Sequence, residues 1–255
     1  MRKILIIGMG AGDPDYMTIQ AIDAMNRVDV FFIPDKGEEK AGLRHLRTEM
    51  CQRFIEEPGY RLVEVAIPER GKPAHSSAQG GYRQTVDAWH AEIERRYEAA
   101  FRQELAEDEV GGFLIWGDPG LYDSTLRVVD RIFAKGFALE YDVIPGISSV
   151  QALAAKHRIP LNRIGEAVVV TPARKLAGAL AAKADTVVVV LDGEQSFLSL
   201  DGEAFDIYWG AYLGTDDEIL VAGRLSQVRD EIARRREDAR RRIGWIMDTY
   251  LLRRR

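Results

Sequence analysis

Three short segments of this 255-residue chain combine glycine with acidic or hydroxyl side chains. The first is Gly8-Met9-Gly10-Ala11-Gly12-Asp13-Pro14. The second is Gly117-Asp118-Pro119-Gly120-Leu121-Tyr122-Asp123-Ser124, and the third is Ile144-Pro145-Gly146-Ile147-Ser148-Ser149. Glycines let the main chain turn sharply and let a ligand approach the backbone closely. Carboxylates and hydroxyls accept hydrogen bonds, which suits a cationic or hydroxylated ligand better than a phosphate. The first segment fails the dinucleotide fingerprint, because the third glycine of that pattern is replaced by Asp13, whose charge would repel a pyrophosphate at a helix N-terminus. No Gly-Lys-Ser/Thr follows, so a P-loop is excluded. Each segment also has a ligand-free reading: a tight strand-to-helix turn, a β-turn, or a helix N-cap at Ser148 or Ser149.

Other chemistry is thin. His45, His75, His90 and His157 show no metal-ligand spacing, so no metal site is expected. Cys51 is the single cysteine, which rules out an internal disulfide or a zinc cage and favours a reducing cytoplasm.

The elements that must position these segments follow from hydrophobic patterning. Arg2–Gly8, Val30–Pro34, Leu62–Ile67, Gly111–Trp116 and Ala138–Ile144 read as buried strands. Helical periodicity marks Thr18–Val28, Gly42–Ile55, Gln84–Leu105, Leu126–Lys135 and Ser148–His157. Residues 68–83, rich in Gly, Ser and Pro, read as a long loop. Strand and helix alternate, which predicts an α/β fold with a mainly parallel sheet covered on both faces. In such sheets ligands gather at the carboxyl ends of strands, so the glycine segments point to one crevice. A linker is expected at His157–Glu166, followed by strands at Ala167–Thr171, Thr186–Leu191, Ile207–Leu213 and Trp245–Leu252. The predicted division is therefore an αβα domain over 1–160 and a second over 161–255, with mainly parallel or mixed sheets.

The formal net charge is −5, but residues 224–255 carry eleven arginines against five acids. Val228, Ile232, Ala239 and Ile243 fall at helical spacing there, so the arginines read as the wet face of an amphipathic helix rather than a nucleic-acid surface. No apolar stretch of about 18 residues exists, so no membrane span is expected.

Taken together, GxGxGD after the first strand, GDPxxY after the fourth and a Pro-Gly turn with paired serines after the fifth resemble the tetrapyrrole (corrin/porphyrin) methylase family. Arg158–Asn162 (RIPLN) is similar to that family's interdomain linker. The resemblance implies two αβα domains with S-adenosylmethionine folded in a cleft between them, a corrinoid or porphyrin-type substrate, and a homodimer. It implies cofactor contacts from Gly117, Asp118, Leu121, Tyr122, Ser124, Ser148, Ser149, Leu191, Tyr212 and Leu213. Gly10 and Gly12 are assigned to the substrate side, where Lys36, Arg44, Arg70 and Lys72 would meet the carboxylates of such a substrate. Asp13 and Asp35 are the candidates for handling a water molecule. The chain departs from the family at Met17-Thr18, where many members have Leu-Thr, and at Leu191-Asp192-Gly193, where many have Met-Gly. Relatives of the same fold act on ribosomal RNA ribose or a modified histidine of elongation factor 2. The acidic first 223 residues argue against RNA. A non-catalytic S-adenosylmethionine-binding protein is the alternative of another class.

Overall fold

The computed structural model describes residues 1–35, 41–68 and 79–255. The chain divides into two compact units, one of residues 1–10 and 14–147 and one of residues 11–13 and 148–255. Arg158–Asn162 thus lies inside the second unit, and the division falls at Ile147/Ser148.

The first unit runs β1 (Arg2–Gly8), α1 (Ile19–Met25), β2 (Val30–Asp35), α2 (Ala41–Phe54), β3 (Arg61–Ala66), α3 (Gln79–Glu104), β4 (Val110–Ile115), α4 (Thr125–Ala134) and β5 (Leu139–Ile144). Its five strands are all parallel, in the order β3-β2-β4-β1-β5. Side chains of a strand alternate between faces, and here both faces are covered, which explains the unbroken apolar run of β1. Ile4 and Ile6 pack with Phe32 and Phe113 against Tyr97 and Phe101 of α3 and Val128 and Ile132 of α4. Leu5 and Ile7 pack with Phe31 and Leu114 against Ala21 and Met25 of α1 and Met50 and Cys51 of α2. In a parallel sheet all carboxyl ends share one edge. Because β1 lies between β4 and β5, the three glycine segments leave that edge side by side.

The second unit runs α5 (Ser149–His157), β6 (Val168–Pro172), α6 (Leu176–Ala181), β7 (Thr186–Val190), β8 (Phe205–Ala211), β9 (Ile219–Arg224), α7 (Leu225–Ile243) and β10 (Asp248–Arg254). The sheet order is β6-β7-β10-β8-β9. It is mixed: β6 and β7 are parallel, and β10 runs antiparallel to both its neighbours. The α/β class with one parallel and one mixed sheet is the one expected.

Several local expectations change. Residues 79–83 begin α3 instead of ending a loop, and β9 and α6 were not anticipated. Tyr212 and Leu213 lie just beyond β8 rather than within it. The apolar face of α7 buries Leu225, Ile232 and Ala239, but Arg236 is buried with them, so one arginine is not on the wet face. Others on that helix pair within the chain, Arg235 with Glu231 and Arg242 with Asp217. Among the described residues no helix is long and apolar enough to cross a membrane.

Candidate functional site

In the first unit the three glycine segments are joined through their backbones. Gly10 and Gly117 form an antiparallel bridge, with the Gly117 N–H donating to the Gly10 carbonyl at 2.8 Å and the Gly10 N–H donating back at 3.3 Å. A Cβ on Gly146 would stand 2.2 Å from the Gly117 carbonyl oxygen and 2.8 Å from the Gly8 backbone. The three loops therefore touch main chain to main chain, and only glycine permits that approach. Asp118 locks the arrangement: one carboxylate oxygen accepts from the Gly120 N–H at 2.8 Å and the other from the Gly146 N–H at 3.0 Å. Next to it Tyr122 is held at φ 57°, with its side chain exposed. Asp123 accepts from the Thr125 N–H at 2.6 Å and opens α4.

Behind this loop Arg47 of α2 donates from Nε to the Leu114 carbonyl at 2.9 Å. Burial lowers its pKa, opposed by the charge of Asp123. Burial raises the Tyr97 phenol, with Asp123 adding to the shift, so Tyr97 stays protonated.

In the second unit a buried polar network surrounds the carboxyl end of β7. Leu191 leaves that strand at φ 56° with 62% of its surface exposed. Asp192 is buried and accepts from the Ser196 N–H at 2.7 Å, the Glu194 N–H at 3.1 Å and the Tyr250 hydroxyl at 2.7 Å. Burial, with the neighbouring Asp192 charge second, pushes the Tyr250 phenol well above its ordinary value and keeps it a donor. Arg236 donates from Nε to Asp248 at 2.9 Å and from Nη2 to the Asp192 carbonyl at 2.7 Å. Trp209 Nε1 donates to the same Asp248 oxygen at 3.0 Å. Burial pushes Asp248 up, and Arg236 opposes that shift. At the end of β8, Tyr212 sits at φ 49°, its N–H bonded to the Met247 carbonyl at 3.0 Å and its hydroxyl to the Trp245 carbonyl. Burial raises that phenol to about 12. The N-terminus of α5 is closed by a capping box between Ser148 and Gln151, and the neighbouring Ser149 hydroxyl accepts from Thr249 at 3.0 Å.

The sequence pattern of the Tetrapyrrole (Corrin/Porphyrin) Methylases matches residues 3–229. The chain belongs to this family. It is 51% identical over 254 residues to the precorrin-6A synthase [deacetylating] of Sinorhizobium sp, covering 99% of this chain and 95% of that protein. The crystal structure of a cobalamin synthesis related protein (CobF) from Corynebacterium diphtheriae superposes with a TM-score of 0.83 at 34% identity, covering 99% and 98% of the two chains. A uroporphyrin-III C-methyltransferase from Thermus thermophilus, solved with S-adenosyl homocysteine, shares the fold at a TM-score of 0.58 and 17% identity, covering 98% and 91%.

In this tetrapyrrole methylase the expected site residues divide by what their side chains do. Asp118 and Ser148 spend their oxygens on backbone N–H groups of the loops they shape. Tyr212 and Leu213 are buried, and Leu213 packs over Gly210 beside Leu153. What these turns can offer a ligand is backbone. Leu191 and Tyr122 have exposed side chains, while Leu121 and Ser124 are half-buried. Gly10 (φ 77°) and Gly12 (φ 119°) need glycine for conformation alone, and a Cβ on Gly10 would meet the Tyr16 Cβ at 2.7 Å. Asp13 is half-buried. Asp35 ends β2, 3.9 Å from Arg44 Nη1, which also bonds Glu64 at 3.3 Å. Lys36, Arg70 and Lys72 lie outside the described residues. Among the described residues no group of three or more His, Cys, Asp or Glu side chains gathers to hold a metal ion.

Sequence reading missed the Asp192–Tyr250–Arg236–Asp248 network. One signal was available. Arg236 stands four residues after Ile232 and three before Ala239, on the apolar face of a helix.

Proposed function

We propose that this protein transfers a methyl group from S-adenosylmethionine to C-1 of precorrin-5 and releases acetate, giving precorrin-6A. The 51% identity across nearly the whole of both chains to a precorrin-6A synthase [deacetylating] is the observation that carries this reading. Two features of the site support the cofactor. The residues expected to meet it include no lysine or arginine, and with the Asp118 oxygens already taken up by backbone N–H groups they offer chiefly backbone and hydroxyls, which disfavours a phosphate. Three of them, Tyr122, Leu191 and Tyr212, are non-glycine residues in the left-handed region. Such strain persists where the surrounding structure enforces it, and it clusters at ligand sites.

When bound, S-adenosylmethionine supplies an already activated methyl group. The chain's task is then to orient donor and acceptor and to exclude water. Cofactor binding is assigned to Gly117, Asp118, Leu121, Tyr122, Ser124, Ser148, Ser149, Leu191, Tyr212 and Leu213. Gly10, Gly12 and Arg44 are assigned to the polycarboxylate substrate, as are Lys36, Arg70 and Lys72, which lie outside the described residues. Acetate release needs water to attack the acetyl carbonyl, the carbon–carbon bond to the macrocycle breaking with its electron pair taken up by the conjugated ring. Asp13 or Asp35 positions that water and takes its proton. The protein works in the cytoplasm as a homodimer, without nucleic acid or membrane.

Calorimetric titration with S-adenosylhomocysteine should show one saturable site per chain, and light scattering on the same sample should give twice the 28.7 kDa chain mass. Absence of binding would contradict the cofactor assignment, and a mass of one chain would contradict the dimer.

A further inference from the structure

Leu191 is an odd residue for its position. A left-handed conformation costs a side-chain-bearing residue roughly 1–2 kcal/mol, and glycine would adopt it freely. Burial does not compensate, because 62% of Leu191 is exposed. Something must therefore hold the peptide in place from both sides. On the N-terminal side Val190 is registered against Thr249 of β10. On the C-terminal side Asp192 is fixed by bonds from four groups besides Arg236: the N–H groups of Glu194 and Ser196, the Ser196 hydroxyl at 3.1 Å and the Tyr250 hydroxyl.

The other expected cofactor segments of the second unit tie back to the same stretch. Ser149 bonds Thr249, and Tyr212 bonds the carbonyls of Met247 and Trp245. Asp248 reaches Asp192 through Arg236, and Tyr250 reaches it directly. Five residues of one stretch, Trp245, Met247, Asp248, Thr249 and Tyr250, thus tie down all three segments.

We infer that Asp192, clamped by Tyr250 and Arg236, is a positioning residue that sets the backbone of Leu191 for S-adenosylmethionine. This rests on the cofactor reading above. Asp192 itself need not touch the ligand, since both of its carboxylate oxygens are occupied within the fold.

Tyr250→Phe tests it, because the change removes one hydroxyl and keeps the ring that packs on Phe197 at 5.4 Å. The dissociation constant for S-adenosylhomocysteine, measured by calorimetry, should rise about tenfold, near 1.4 kcal/mol. The Michaelis constant for S-adenosylmethionine should rise in parallel while kcat stays within about twofold, the pattern of lost binding shared by ground and transition states. Arg236→Lys, which keeps a cation beside Asp248 but loses the planar fork, should shift affinity in the same direction. Ile232→Val, in the same apolar cluster but without a tie to Asp192, should lower the thermal midpoint and leave both constants unchanged. Binding by the unmutated chain that Tyr250→Phe matches would overturn this inference alone. An equal loss of affinity in Ile232→Val would overturn it too, by showing that general loosening is sufficient. No binding by the unmutated chain would overturn the cofactor reading and this inference with it.

Discussion

Replacing Gly146 with alanine should destabilise the protein by about 3 kcal/mol, the upper end of what forced overpacking costs. The new methyl would overlap the Gly117 carbonyl at 2.2 Å and the Gly8 backbone at 2.8 Å. These neighbours are main chain at the ends of hydrogen-bonded strands, so no rotamer change relieves the clash. Relief requires parting the loops after β1, β4 and β5, and that movement also breaks the 3.0 Å bond between Asp118 and the Gly146 N–H. Affinity for S-adenosylhomocysteine should fall with stability. Gly178→Ala is the counterpart: Gly178 lies within α6 with nothing within 4 Å of its added methyl, so the change should stabilise by roughly 0.5–1 kcal/mol. Urea midpoints of the two variants should move in opposite directions. A Gly146→Ala protein as stable as the unmutated one would mean that the loops do not meet as described.

Asp248→Ala should cost still more, about 3–5 kcal/mol, because it leaves the buried Arg236 guanidinium without its carboxylate. The Arg236 and Asp248 side chains are each only 5% exposed, so water cannot replace the lost partner. Trp209 Nε1 also loses its acceptor. The pair itself is a weaker source of stability than this loss suggests, since burying both charges is expensive. The double variant Arg236→Met with Asp248→Leu should therefore recover part of the stability in chemical denaturation, the rest staying lost with the Trp209 and Asp192 carbonyl bonds. It should not recover cofactor affinity, because the Asp192 carbonyl still lacks its donor from Arg236. Recovery of both would remove the network from any role beyond folding.

The sheet of the first unit was legible because its strands are buried on both faces. Ile4–Ile7 and Val30–Ile33 read as continuous apolar runs; the first strand has the expected bounds Arg2–Gly8, and the second runs one residue further, to Asp35. The edge strand β9 was missed for the opposite reason. Only Val221 of it is buried, and it contains a glycine at φ 155°. The start of α3 was missed because Gly80 and Gly81 are poor helix formers, so its first turn looked like loop. Convergence of the loops after β1 and β4 followed from parallel topology, since the carboxyl ends of such strands share an edge. What could not be read was the use of individual side chains. Asp118 looks like a ligand contact in a linear sequence, yet it bonds a backbone group 28 positions away. Arg236 looked like one more arginine in a basic tail, and only its helical phase betrayed it.

The protein should be incubated with precorrin-5 and S-adenosylmethionine labelled in its methyl group, with product mass and released acetate followed together. Labelled precorrin-6A should form, with S-adenosylhomocysteine and acetate in equal amounts. Label transfer without acetate, or S-adenosylhomocysteine binding with no transfer to precorrin-5, would contradict the proposed reaction.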